Sequence, residues 1–304
     1  MLQVRSVSRS FGEIRAVDDV SFDVKSGRMT GFVGANGSGK TTTMRVILGV
    51  LAADSGTVSW KDRPVTQSVR QRFGYMPEER GLYPKMKVAE QVIYLARLHG
   101  LDRATAHRQT HELLEQLDVA ERADDPVEQL SLGNQQRVQI AAALVHDPEV
   151  LILDEPFSGL DPLAIEIVLN VLRDRASRGA PVLFSSHQLE VVERLCDDLV
   201  IISNGAVAAS GSRDQLRTRF GPPRYELVVG DDAGWVRDIP GVRLVELDGA
   251  RAVFDLDDGT EAAGVVSGAP GPEQAVLQSA VERGTVRSFS PVVPSLAEIF
   301  KELV

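Results

Sequence analysis

Eight consecutive residues, Gly34-Ala35-Asn36-Gly37-Ser38-Gly39-Lys40-Thr41, follow the spacing Gly-x-x-x-x-Gly-Lys-Ser/Thr. A loop of this kind turns successive backbone N–H groups inward, where they cradle nucleotide phosphates. Lys40 would reach the β and γ phosphates as a point charge, the Thr41 hydroxyl would ligate Mg²⁺, and Thr42 extends the nucleotide-binding set. The flanking residues suit such a loop. Met29 to Val33 is a short apolar run fit for a buried strand, and Lys40 to Leu48 can open a helix whose N-terminus then receives phosphate. Binding of ATP or GTP is the expectation.

Hydrolysis needs a second element, a carboxylate pair at the end of a buried strand. Val150-Leu151-Ile152-Leu153 runs directly into Asp154-Glu155. Asp154 would hold Mg²⁺, directly or through water, and Glu155 would polarise the attacking water as a general base. Four apolar residues leading into the pair argue against a merely solvated acidic turn.

These residues must be positioned by a fold, and the chain is long enough to bury a full core at 304 residues. A net charge of -10, with no basic arm, gives no general attraction to nucleic acid or to an anionic membrane surface. No apolar stretch approaches the roughly 18 to 20 residues of a spanning helix, and the N-terminal MLQVRSVSRS has no signal-peptide core, so a cytoplasmic protein is expected. The single cysteine, Cys196, excludes an internal disulfide and reads as a packed thiol.

The first 220 or so residues alternate strands and helices. Leu2 to Val7, Ser21 to Val24 and Gly56 to Trp60 read as half-buried antiparallel strands, whereas Val150 to Leu153 and Val182 to Ser185 suit a parallel sheet buried on both faces. Val88 to His99, Ala104 to Leu117 and Asn134 to Val145 carry helical periodicity, marking a helical subdomain at about 86–146 inserted into the sheet domain. The Gly221-Pro222-Pro223 turn sets a boundary. Beyond it, Tyr225 to Val229, Arg243 to Glu246 and Ala252 to Leu256 read as strands and Glu273 to Glu282 as a helix. The expected fold is α/β: a P-loop NTPase mixed sheet with an inserted helical subdomain over 1–220, plus a small α+β domain over 221–304.

Two further stretches narrow the reading. A serine and a glycine just before a helix, Ser131 and Gly133, offer a hydroxyl and free backbone N–H groups to an anion. The whole run Leu130-Ser131-Leu132-Gly133-Asn134-Gln135-Gln136-Arg137 resembles the signature sequence of ABC-type ATPases. Ser158-Gly159-Leu160-Asp161 looks like the D-loop of that family and Ser185-Ser186-His187 like its switch histidine. Together with the phosphate loop and the carboxylate pair, in this order, they make residues 1–220 similar to the ATP-binding subunit of an ABC transporter.

The resemblance implies a head-to-tail dimer in which Ser131, Gly133 and Asn134 of one copy close over the γ phosphate held by the other. It further implies that His187 holds that phosphate and orients the water. Phe11 fits the adenine-stacking aromatic of the family, with core packing as the alternative. Arg137 reads as structural, and His99, His107, His111 and His146 as surface or capping residues. Two departures stand out. After Gly74-Tyr75-Met76-Pro77 the family usually has glutamine; here it is Glu78, which can ligate Mg²⁺ but donates no hydrogen bond when ionised. Leu132 and Asn134 replace the commoner glycine and glutamine.

The run Pro77-Glu78-Glu79-Arg80-Gly81-Leu82-Tyr83-Pro84 and the C-terminal Pro294-Ser295-Leu296-Ala297-Glu298-Ile299-Phe300 resemble ABC-2-type exporters of the sodium-extrusion and drug-resistance kind. The resemblance therefore implies an ATPase using ATP and Mg²⁺, partnered by a second copy of itself and by separate membrane-spanning permease subunits. It would sit on the inner face of the cell membrane through the permease, without inserting and without nucleic acid. Sodium, a drug and a lipid are all compatible cargoes. A non-transport ABC ATPase fits less well, because the chain has one ATPase module and one cysteine. A binding protein without hydrolysis is opposed by Glu155 and His187.

Overall fold

A computed structural model of the chain describes residues 1–79, 81–187, 189–220, 223–256, 272–293 and 298. Arg80, Gly221, Pro222 and most of the Pro294 to Phe300 motif lie outside the described residues. The chain divides into two compact units, one over Met1–Arg213 and one over Asp214–Glu302.

In the first unit the strands follow the two apolar patterns in the sequence. Along β1 (Leu2–Phe11) and β2 (Ile14–Val24), Leu2, Val4, Val20, Phe22 and Val24 turn inward between more exposed residues, as in a sheet covered on one face. With β4 (Ser55–Trp60) and the two-residue β5 (Arg63–Pro64) they form an antiparallel sheet of order β2-β1-β4-β5. By contrast β3 (Met29–Val33), β7 (Val150–Leu153) and β8 (Val182–Ser186) are buried at every position, the mark of strands covered on both faces. They join β6 (Phe73–Met76), β9 (Asp198–Ser203) and β10 (Ala206–Ser212) in a sheet of order β10-β9-β3-β8-β7-β6. All its pairings are parallel except β9 with β10, so the sheet is mixed as expected.

This order brings the carboxyl ends of four strands to one edge. Val33 lies level with Ser186, Leu153 with Phe184, and Met76 with Leu153. Ligands of open parallel sheets bind at that edge. Helix α1 (Lys40–Ile47) is anchored there by Met44 and Ile47, which join Phe22, Phe32, Ile152 and Leu183 in one buried cluster. Each such side chain contributes about 1.5–3 kcal/mol on burial, enough to hold the loop ahead of α1 in one place.

The one-turn α2 (Gln67–Arg70) precedes β6. Between β6 and β7 the chain builds α3 (Val88–Leu98), α4 (Arg103–Gln116) and α5 (Leu132–Leu144), which pack on one another and bury Val92, Ala96, Leu113, Leu114, Val138 and Ala141. Asp102 caps α4, accepting from the Thr105 N–H at 3.0 Å. Asp161 likewise caps α6 (Pro162–Ser177). Then come α7 (Leu189–Leu195) and α8 (Arg213–Phe220). Cys196 is buried and its Sγ donates to the Val192 carbonyl at 2.8 Å; burial pushes the thiol up to about 12, so it is inert.

In the second unit β11 (Arg224–Val229), β12 (Val242–Asp248), β13 (Arg251–Leu256) and β14 (Val286–Val292) form an antiparallel sheet of order β12-β13-β11-β14. Helix α9 (Pro272–Arg283) covers one face through Val276 and Ala280, in a core shared with Leu227, Phe254 and the stacked rings of Tyr225 and Phe289. The other face carries ion pairs of Arg224 and Arg243 with buried Asp255. Strand β14 was not expected from the sequence. It is an edge strand in which Pro291 stands opposite Tyr225, and proline is tolerated in sheets at such edges.

The histidines need one correction. His146 is neither exposed nor a cap: its ring stacks on that of His99 at 3.6 Å between centroids, and its Nε2 lies 3.2 Å from the Phe73 carbonyl. Burial first, and the neighbouring His99 second, push the His146 imidazole down to about 4. The folded chain therefore keeps His146 neutral where the unfolded chain, with its imidazole near 6.5, takes up a proton. Stability is untouched above about pH 6.5 and is lost as pH falls from there toward 4, by up to about 3 kcal/mol. Urea unfolding of wild type and His146→Phe between pH 7.5 and 4.5 should show the wild type losing about 1–3 kcal/mol more than the variant. Parallel pH curves would contradict the assignment.

Candidate nucleotide-binding and hydrolysis site

The residues between β3 and α1 wrap around the N-terminus of the helix, and two glycines make the wrap sterically feasible. A Cβ on Gly34 would overlap the Ile202 carbonyl oxygen and Ser38 Oγ. At Gly39, φ is +104° and a Cβ would stand 2.5 Å from the Ala16 carbonyl oxygen. The loop is thus pressed between the β2 backbone and the end of β9. Bonds from Ser38 N to Ala35 O and from Gly205 N to Ser38 O fix it further, while Ser38 Oγ is buried without a hydrogen-bond partner among the described residues.

This loop forms one wall of a cleft of about 250 Å³, completed by Ala16, Glu78, Asp154 and Glu155. Lys40 is 8% exposed and donates from Nζ to the carbonyls of Gly34 at 2.7 Å and Ala35 at 3.1 Å. Burial pushes its ammonium below the ordinary lysine value, opposed by the negative charges of Glu155, Asp154 and Glu78. Asp154, 1% exposed, is held from both sides: Thr41 Oγ1 donates to one carboxylate oxygen at 2.8 Å and Ser185 Oγ to the other at 2.5 Å. Charge-assisted bonds of this kind offset the cost of burying a carboxylate.

Glu155 follows with φ at +53°, a conformation that costs a residue with a Cβ about 1–3 kcal/mol. Its N–H donates to Ser185 Oγ at 2.8 Å and its carbonyl accepts from Gln136 Nε2 at 2.9 Å. The turn aims its carboxylate at the cleft, where Oε1 lies 3.0 Å from Nδ1 of half-exposed His187.

The structure therefore brings together Asn36, Gly37, Gly39, Lys40, Thr41, Thr42, Glu78, Asp154 and Glu155, with His187 attached through Glu155. Phe11, Ser131, Gly133 and Asn134 are not among the cleft residues. Phe11 is 45% exposed at the β1 end of the β1–β2 hairpin, with Arg9 over its ring, so it does not pack in a core. Ser131 caps α5, accepting from the Asn134 N–H at 3.3 Å, and Gly133 lies against the Gly159 carbonyl. Arg137 is structural as expected, bonded to Asp118 and to the Leu117 carbonyl.

Sequence reasoning gave no role to Ala16, Ser185, Gln136 or Gln139. Ser185 carried a signal, since a hydroxyl inside an apolar buried run needs a partner. Three hard oxygen donors, Thr41, Asp154 and Glu78, face one cleft beside a buried lysine, a donor set that suits Mg²⁺ with a polyphosphate.

Residues 17–158 match the ABC transporter family, and residues 211–304 match the C-terminal domain of DrrA1-3-like ATP-binding proteins. The chain is 39% identical over 306 residues to the uncharacterized ABC transporter ATP-binding protein YhaQ of Bacillus subtilis, covering 100% of this chain and 98% of that one. It is 37% identical over 241 residues to Nod factor export ATP-binding protein I of Burkholderia lata, covering 78% of this chain and 79% of that one. Among solved structures, an ATP binding subunit of an ABC transporter superposes with a TM-score of 0.68 at 34% identity, over 73% of this chain and 93% of the other.

The glycine contacts make a direct prediction. Gly34→Ala should lower affinity for a fluorescent ATP analogue by at least about tenfold and destabilise the fold by about 1–3 kcal/mol, because backbone at Ile202 must yield. Unchanged affinity and melting temperature would show that the loop is not confined as described.

Proposed function

This chain belongs to the ABC transporter family as an ATP-binding subunit, and we propose that it powers an exporter. In this reading it binds Mg-ATP in a head-to-tail pair with a second copy of itself and drives separate membrane-spanning permease subunits. The family hydrolyses ATP for transport. Export is favoured by the likeness to a Nod factor export protein. Sodium ions, a drug and a lipid each remain compatible cargoes. Residues 1–220, with the helical subdomain at about 86–146, serve as the nucleotide-binding domain and residues 221–304 as the C-terminal domain. Among the described residues no helix is long and apolar enough to cross a membrane. Attachment to the inner membrane face would then run through the permease, without nucleic acid as a partner.

The observation that carries the reading is the Glu155–His187 pair at 3.0 Å on the rim of a cleft that also holds Lys40 and the Thr41–Asp154 bond. Phosphate entering the loop offers Lys40 a stronger acceptor than the Gly34 and Ala35 carbonyls it now contacts. Thr41, Asp154 and Glu78 would hold Mg²⁺, which would supply charge neutralisation for the polyphosphate. Glu155 takes the proton of the attacking water, and His187 orients that carboxylate and reaches toward the γ phosphate. Ser131, Gly133 and Asn134 lie off this chain's own cleft with the α5 N-terminus exposed, which suits closure over nucleotide held by the second copy. Phe11, solvent-facing at the hairpin, is available to stack on adenine.

Glu155→Gln should bind ATP, dimerise at saturating Mg-ATP and turn over at least about a hundredfold more slowly than wild type, as loss of a general base requires. Equal turnover, or a variant that stays monomeric in light scattering, would sink the reading. The segment from Glu78 to Lys87 offers the permease half-buried Leu82 and Met86 and 63% exposed Tyr83. Replacing Leu82 and Tyr83 by Ser should leave basal ATPase intact and abolish its response to the permease; transport at the wild-type rate would refute the docking site.

A further inference from the structure

Of the three acidic residues that line the cleft, Glu155 and Glu78 lie on main chain fastened to the same helix. Gln136 and Gln139, one turn apart on α5, are each 4% exposed. Gln136 Nε2 donates to the carbonyl of Glu155 at 2.9 Å. Gln139 Nε2 donates to the carbonyls of Pro77 at 2.6 Å and Glu79 at 3.2 Å, the residues on either side of Glu78. A third buried glutamine, Gln91 on α3, accepts from the Tyr83 N–H at 2.6 Å and steadies the far end of the same segment. The helix that Ser131 caps thus grips the Glu155 carbonyl and the carbonyls of the residues on either side of Glu78, touching neither carboxylate in these bonds.

The Gln136 contact has a particular consequence. Glu155 sits at φ +53°; Ser185 accepts from its N–H, and its carbonyl accepts from Gln136 at 2.9 Å and, more weakly, from the Ser158 N–H at 3.2 Å. Two neutral hydrogen bonds are together comparable in size with the cost of that conformation. Removing the Gln136 bond leaves only the longer Ser158 bond on the carbonyl and weakens the hold on the positive φ; a rotation toward negative φ would swing the carboxylate away from the water it must deprotonate. Misplacement by about 1 Å in such an arrangement can cost a hundredfold in rate.

We infer that Gln136 is a positioning residue for ATP hydrolysis, holding the Glu155 peptide so that the seating of α5 governs where the general base points; Gln139 performs the parallel task for the Glu78 segment. The inference rests on Glu155 acting as the base, and a double-mutant cycle separates the two. Single-turnover hydrolysis of Mg-ATP by the full chain is measured for wild type, Gln136→Met, Glu155→Gln and the double variant, with affinity for a fluorescent ATP analogue recorded for each. Gln136→Met keeps the side-chain volume and loses the donor. It should slow hydrolysis by about tenfold or more, with nucleotide affinity within about twofold of wild type, and should add less than about twofold loss to Glu155→Gln. Gln136→Asn, which keeps a donor on a shorter stem, should fall between wild type and Gln136→Met, and it carries the same cycle if the Met variant fails to fold.

A slow Glu155→Gln with a further loss of about tenfold in the double variant would show that Gln136 does not act through Glu155. Wild-type rates in both Gln136 variants would likewise overturn the inference. Wild-type turnover in Glu155→Gln would remove the base itself, and with it the reason for a positioning residue.

Discussion

A carboxylate that is 1% exposed at the end of a strand is the constraint around which this molecule is arranged. An uncompensated charge at Asp154 would cost several kcal/mol. Its two oxygens are instead taken by hydroxyls from two other elements, Thr41 at the start of α1 and Ser185 near the end of β8, and its N–H by the Met76 carbonyl of β6. Those partners converge only if β6, β7, β8 and β3 lie side by side with their carboxyl ends level, which is the sheet order found. The same packing that hides Asp154 from solvent therefore assembles the phosphate loop, the carboxylate pair and Glu78 around one cleft.

The features legible in the sequence are those in which local spacing already dictates geometry. Gly34 and Gly39 announce a loop that a Cβ would block, and Val150 to Leu153 reads as buried because no polar residue interrupts it. Helices α3, α4 and α5 follow from apolar residues three and four apart. What escaped reading depends on partners distant in the chain. Nothing around Gln136 tells that its amide meets a carbonyl 19 residues later, or around Gln139 that its own meets one 62 residues earlier. The His99–His146 stack joins the ends of two helices whose approach only the tertiary fold defines. Strand β14 failed for a different reason: its serines and Pro291 weaken the alternation, and pairing with β11 supplies the order its own residues do not.

Backbone conformation and side-chain hydrogen bonding meet again at Glu155. On the proposed function Glu155 is a general base, which must be near water yet directed, and a residue following a rigid parallel strand would ordinarily continue along the strand axis. The positive φ turns the chain sharply at that point, and the Ser158 N–H returns to the Glu155 carbonyl at 3.2 Å. Ser185 donates to Asp154 and accepts from the Glu155 N–H, so one hydroxyl ties the Asp154 carboxylate to the Glu155 backbone. The spacing of Asp154 and Glu155 is accordingly a property of three strands and a helix, beyond what two adjacent letters in the sequence convey.

Glu78 changes the charge balance of this cleft in a way that bears on how nucleotide enters it. Glu78, Asp154 and Glu155 oppose a single lysine, and all three act on Lys40. Unit charges about 6 Å apart interact by roughly 3 kcal/mol at an effective dielectric of 20. On the proposed function a bare polyphosphate would therefore meet net repulsion that the loop N–H groups and Lys40 must overcome, whereas a polyphosphate carrying a divalent cation would bring the missing positive charge to the cleft that Thr41, Asp154 and Glu78 line. With glutamine in place of Glu78 the carboxylates would number two and the imbalance would shrink. On the proposed function, the glutamate ties nucleotide binding more tightly to the metal, at a position whose backbone Gln139 already holds on both sides.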